Sequence, residues 1–288
     1  MPDGTLGALG KASLGIGVCL VAAVAGIFVE YFCLRTASPV YCVCRAGDTS
    51  SLEESTRCLT IHLYMKVPLI AVHLIPFILM PFSMWVCQEH DSTLRSMGAK
   101  SPTQMVRGLS YIMVSIAGEV GWHVHQQWFY HEDFDILNCF FYVFNTLGAT
   151  YWALGARNRD TETSSFDVFL MLCTPLTIIA YGYGAYATSQ SMPGASKVPI
   201  YLIMTYQYVL LSWRLFKLLN GDIRVGLFPV CSIGVNLFFV FLLSMNQGNT
   251  FLNPLFHILH DAAGTEMGVL IITLLLWTHA KTFNRHAD

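Results

Sequence analysis

Apolar runs of about twenty residues, the length that crosses a hydrocarbon core as a helix, recur eight times along the chain. They fall at 12–33, 62–87, 105–125, 136–156, 166–188, 197–219, 226–246 and 254–280. Helices are the expected element, because backbone facing lipid must satisfy its own hydrogen bonds. Pro68, Pro76, Pro81, Pro175 and Pro229 lie inside these runs and predict kinks that neighbouring helices can tolerate. The first run is too long for the apolar region of a signal peptide, usually about 7–15 residues, so it reads as a retained span. The expected fold class is an all-α integral membrane protein of eight spans.

Composition points the same way. The chain is 54% hydrophobic and 12% charged, and a soluble protein carries about twice that charged share. A net charge of -2 gives no reason to expect a nucleic-acid partner. Orientation follows from Lys and Arg in the connections. Eleven fall on the side shared by both termini and five on the other, which predicts cytosolic termini in an endomembrane (ER/Golgi) or the plasma membrane. Cys33, Cys42, Cys44 and Cys58 gather in or beside the first connection, on the lumenal or extracellular side. An oxidising compartment permits disulfides there, and at least one is expected; a Cys-x-Cys metal site is the rival reading.

The polar residues change the picture most. Within 118–125, Glu119 and His123 stand four apart and share a helix face, with His125 close by. An acidic connection containing Asp133 and Asp135 follows. The last run opens on Asn253, His257, His260 and Asp261, with His257 and Asp261 again four apart. Span counting puts all three stretches in the lumenal leaflet. Ionisable groups are costly inside a membrane and mark functional sites. Two His from different helices plus a carboxylate make a three-ligand zinc site with one open position for water. His123, His257, His260 and Asp261 are the candidate ligands. Zinc would bring the pKa of that water toward about 7, and Glu119, Asp133 and Asp135 are the candidate acid–base groups. His73, inside the second run near Pro76, reads as a bundle-facing residue. Glu266 lies deeper in the last run, either bonded within the bundle or lining a substrate cavity.

This arrangement resembles the CREST superfamily of alkaline ceramidases, progestin and adipoQ receptors, Per1-like and TMEM8-like proteins. Its seven-span core carries Ser-x-x-x-His, then an Asp, then His-x-x-x-His. His123 matches the first His, Asp133 or Asp135 the Asp, and Phe256-His257-Ile258-Leu259 the segment around the last His. Glu119 stands in place of the Ser and Asn253 in place of a His; Asp261 or His260 would take over as third ligand. The resemblance implies a seven-span core over 62–288, preceded by an added span and Cys-rich loop over 1–61. It also implies a zinc-dependent hydrolase of a lipid amide or ester drawn from the bilayer, with Asp133 or Asp135 positioning the water.

Other functions are weighed by the same residues. A di-iron hydroxylase needs about eight His in clustered boxes and a retinal protein a Lys in mid-span; neither pattern is present. A b-type haem would need His73, His123 and His257 to pair across the bundle. A non-enzymatic receptor would keep the polar cluster as glue between helices, and a proton-coupled transporter would use it as a relay.

Overall fold

The computed structural model describes residues 63–128, 136–160, 164–189, 198–245 and 252–287. Within them the chain is all-α. Helix α1 spans Leu63–Glu89, and a short α2 (Asp91–Ser96) turns into α3 (Pro102–Trp128). Next come α4 (Ile136–Ala156), α5 (Ser165–Ser189) and α6 (Val198–Leu218). A 3-10 turn (Ile223–Gly226), a single α-turn α7 (Leu227–Pro229) and a π-helical segment (Val230–Val235) lead into α8 (Asn236–Met245). The chain closes with α9 (Leu252–Ala263) and α10 (Thr265–Ala287).

The helices are held by close approach as well as by apolar burial. Leu94, Met105, Leu109, Trp152, Leu211, Leu215, Leu219 and Ile272 form the centre of the core. Between helices in a bilayer, apolar contact gains little over contact with lipid, so small residues that let backbones meet matter more. Helices α3 and α4 cross in this way. A Cβ on Gly108 would fall 2.5 Å from the Trp152 nitrogen, and one on Gly148 would fall 2.7 Å from the Gly108 carbonyl oxygen. Gly155 continues the seam, its missing Cβ lying 2.6 Å from the Ser101 carbonyl. Gly268 on α10 likewise makes room for the Phe228 ring, which sits edge-on to Trp152 and Tyr208.

The connections at one end are stitched together. Ala99 and Asn158 form an antiparallel bridge. Lys100 N–H donates to the Arg157 carbonyl at 2.8 Å, Arg159 N–H to Gly98 at 2.9 Å, and Ser101 N–H to Gly155 at 3.1 Å. Gly98 sits at φ 109°, a backbone conformation open to glycine and strained for other residues.

Two corrections to the sequence expectations follow. Eight spans are not found. Among the described residues, two helical stretches are long and apolar enough to cross a membrane, Ala71–Glu89 and Ser165–Tyr186; the stretch Ile223–Phe239 is apolar but shorter. The expected span 12–33 lies outside the described residues. The physical reason is that the other helices carry polar residues along their length. Helix α3 holds Arg107, Ser110, Ser115 and Glu119, α4 holds Asn138, Asn145, Thr146 and Thr150, and α6 holds Gln207 and Arg214. The expected run 254–280 divides at Gly264 into α9 and α10. Second, no disulfide is shown: among the described residues Cys87, Cys139, Cys173 and Cys231 are free thiols, and none of these is a cysteine expected to pair. Cys33, Cys42, Cys44 and Cys58 lie outside the described residues.

Candidate functional site

The most completely bonded polar cluster joins α4, α5 and α6. Ser164 precedes α5 and Asp167 stands in its first turn. Ser164 donates its backbone N–H to Asp167 Oδ2 at 2.9 Å and its hydroxyl to the same oxygen at 3.2 Å. That is the acidic half of a capping box, with Asp in the position usually taken by Glu. The carboxylate is then gripped from two sides. Arg157, just past the end of α4, donates Nη1 to Oδ2 at 2.7 Å, and Arg214 of α6 donates Nη2 to Oδ1. Arg214 also donates Nη1 to the Ala153 carbonyl at 2.8 Å. All three side chains are buried.

A second layer lies deeper between the same helices. Gln207 of α6 donates Nε2 to the Thr146 carbonyl at 2.8 Å and to the Thr150 hydroxyl at 2.9 Å. Thr150 in turn donates to the Leu170 carbonyl of α5 at 3.1 Å. Tyr208 donates its hydroxyl to Asn145 Oδ1 at 2.6 Å. Each bond crosses from one helix to another, so this network fixes the mutual register of α4, α5 and α6.

Several of the residues singled out from the sequence do meet, in different company than expected. His73 of α1 places Nε2 4.0 Å from Oε1 of Glu119 on α3, with the His73 side chain fully covered. The His73 and His257 rings stand 6.1 Å apart between centroids, and those of His257 and His260 6.0 Å apart. A chain of neighbours therefore runs from Glu119 through His73 and His257 to His260, across α3, α1 and α9, with α1 packed against both of the others. His123 is on α3 one turn beyond Glu119, and Asp261 is on α9 one turn beyond His257; their side chains lie outside the described residues, as Asp133 and Asp135 do entirely.

The zinc expectation is corrected here. Among the described residues no group of three or more His, Cys, Asp or Glu side chains could hold a metal ion. Zinc ligands must converge to about 2.0–2.2 Å from one point. Among the described residues no such convergence is found, so the expected zinc-dependent hydrolase is corrected; of its four candidate ligands, His257 and His260 are described, and the side chains of His123 and Asp261 are not. The imidazoles and Glu119 are placed as contacts between helices.

A third cluster closes the end of the bundle where α6 finishes. Asp222 caps the 3-10 turn by accepting the Arg224 N–H at 3.0 Å. It also accepts the Arg224 guanidinium at 2.7 Å and pairs with His279 Nε2 of α10 at 2.8 Å. The Arg224 bonds, then the His279 contact, outweigh burial and hold the Asp222 carboxyl well below the usual carboxylate range. Nearby, Thr93 of α2 donates to Asn284 Oδ1 of α10 at 2.8 Å.

Sequence reasoning missed the Asp167 cluster. Arg157 and Arg214 counted as topology charges, and Asp167 as a residue at a helix start. The available signal was the Ser164-x-x-Asp167 spacing and an Arg deep inside the apolar stretch of α6. It missed the weight of His73 as well, which had no polar neighbour within its own run.

Comparison with family models finds one described as a seven transmembrane receptor, matching residues 65–282 of the 288-residue chain. Comparisons with curated proteins and with solved structures find no match.

Proposed function

This chain belongs to the seven transmembrane receptor family, and we propose that it is a non-enzymatic, receptor-type membrane protein whose buried polar residues set helix register. The observation that carries this reading is Asp167, a single buried carboxylate shared by Arg157 and Arg214 from two other segments. Its acceptor sites are taken by protein donors, as those of a structural tie are. In this reading Glu119 and His257, from the two stretches that resemble the CREST pattern, serve as contacts to α1. The end bearing Arg157, Arg214 and Arg224 faces the cytosol, and the His73–Glu119–His257 neighbourhood lies toward the opposite leaflet.

The test uses the full chain purified in detergent. Asp167→Asn is expected to lower the melting temperature steeply. The native chain is expected to turn over no lipid amide or ester, and Glu119→Gln and His257→Ala are expected to change stability alone. Hydrolysis of such a lipid by the native chain, lost in Glu119→Gln or His257→Ala variants that still fold, would overturn the reading.

A further inference from the structure

We propose that the end of the bundle where α1, α4, α6 and α10 finish is a docking surface for the headgroups of anionic phospholipids. Arg107, Lys217 and Lys281 are the residues that hold them. The inference rests on the membrane reading above and adds the chemistry of the partner.

This end carries more positive charge than its acids neutralise. Nearly every described carboxylate at this end is already committed. Asp91 pairs with Arg95, Asp160 with Arg159, Asp167 with Arg157 and Arg214, and Asp222 with Arg224 and His279. Glu89 is the exception among the described residues. Arg107, Lys217 and Lys281 are exposed and have no carboxylate partner among the described residues, so the end keeps an uncompensated positive charge.

Each of the three cations stands over an aromatic ring. Lys281 Nζ lies 3.9 Å from the Trp277 ring centroid, Lys217 Nζ 4.7 Å from that of Trp213, and Arg107 Cζ 5.6 Å from that of Tyr151. A ring beneath a cation holds it by the negative face of the π-system and leaves N–H donors free to point outward. Aromatic rings beside Lys and Arg are also what sits at headgroup depth in a bilayer.

The spacing of exposed apolar residues leads to the same three cations. On α10, Met267 and Leu274 are exposed, and Lys281 follows at the same seven-residue spacing. On α6 the exposed residues Leu202, Val209 and Trp213 lead to Lys217. On α3, which runs the other way, exposed Val114 lies seven residues from Arg107. Residues seven apart share a helix face. Three apolar stripes open to lipid therefore each end, at the same end of the bundle, in a cation. Long basic side chains in that position run their stems along the apolar surface and place the charge among phosphates. An anionic headgroup offers the complementary charge, and a zwitterionic one cancels most of it.

The experiment compares melting temperatures of the full chain in nanodiscs of phosphatidylcholine and of a roughly four-to-one mixture with phosphatidylserine, a lipid that gives a surface its negative potential. Phosphatidylserine is expected to raise the melting temperature of the native chain. The triple variant Arg107→Gln/Lys217→Gln/Lys281→Gln is expected to lose more than half of that rise while melting as the native chain does in phosphatidylcholine. Arg95→Gln/Arg159→Gln, which removes cations already engaged with acids, is expected to keep it. If the triple variant does not fold, each single variant is expected to lose roughly a third of the rise, by additivity of separated sites. No rise in the native chain, or a full rise in the triple or single variants, overturns the proposal. Failure of the chain to enter either disc overturns the membrane reading itself and is seen before any melt is run.

Discussion

Asp167 is one carboxylate facing two guanidiniums, so its cluster keeps a buried positive charge even when every bond is made. Taking charges out of water costs several kcal/mol each, repaid only when the partners are well placed. The bidentate fork of arginine suits this role, since it reaches a carboxylate and a carbonyl together, as Arg214 does with Asp167 and Ala153. Asp167→Asn keeps the shape and removes the charge that both arginines face. The expected loss is about 3–5 kcal/mol, the cost of leaving a buried partner uncompensated, seen as a lowered melting temperature of the purified chain. Arg157→Lys should cost less, because the charge stays and the planar fork is lost. The Ser164–Asp167 cap was legible from its spacing, and the pairing with the two arginines was not. The partners of Asp167 are 10 and 47 positions away, and no local spacing signals a pairing of that kind. Glu119 and His257 were legible as buried polar residues needing company. What the sequence could not supply was the intervening His73, nor the fact that four groups on three helices stop short of a common metal point.

Helices meet through glycines here, and the seam of α3 on α4 shows how tightly. Gly148→Ala would drive a methyl group to 2.5 Å from Ile112 Cγ1 and 2.7 Å from backbone oxygen, so the helices must part. Overpacking of this kind costs typically about 1–3 kcal/mol. Gly182→Ala on α5 meets nothing within 4 Å and should gain up to about 1 kcal/mol from helix propensity. Thermal melts of the two variants are expected to move in opposite directions. The turn after α6 offers a test by pH. Its backbone passes through Asn220 at φ 52° and Gly221 at φ 81° and is tied to α10 by the Asp222–His279 contact. The Asp222 carboxyl is lowered in the folded chain, so its contribution is full above the unfolded value of about 3.9. It fades as pH falls below that value toward the lower folded one. Melting curves at falling pH should therefore lose stability faster in the native chain than in Asp222→Asn. Helix limits were readable at this scale: the run 136–156 and α4 coincide, and the run 62–87 and α1 nearly do. The π-helical turn after Pro229 was not, because it leaves the apolar pattern uninterrupted; the division of the last run at Gly264 falls among His260, Asp261 and Glu266, which were read as site residues rather than as a break.

The molecule as a whole has a well-tied end and an end of ring-and-acid contacts. At the first, ion pairs, caps and a bridged pair of connections hold α1 through α6 and α10. At the second, His73, Glu119, His257 and His260 bring α1, α3 and α9 together. Hydropathy read the chain as evenly apolar across eight runs, whereas two described stretches pass as spans. The discrepancy has one physical source. The polar residues along α3, α4 and α6 bring those helices below the apolarity of a span, and many of them face one another across a helix contact. The stitched connections carry a further consequence, for the count of residues rather than their kind. Three N–H groups in 100–101 and 159 find their acceptors only if the segment from Gly98 to Ser101 has its present length. One glycine inserted between Gly98 and Ala99 moves the two donors at 100–101 out of phase with the facing carbonyls. The inserted chain is expected to melt well below Lys100→Ala, whose main-chain bonds are intact although its exposed side chain is gone. Substitution at these positions is cheap, and insertion is what the stitch forbids.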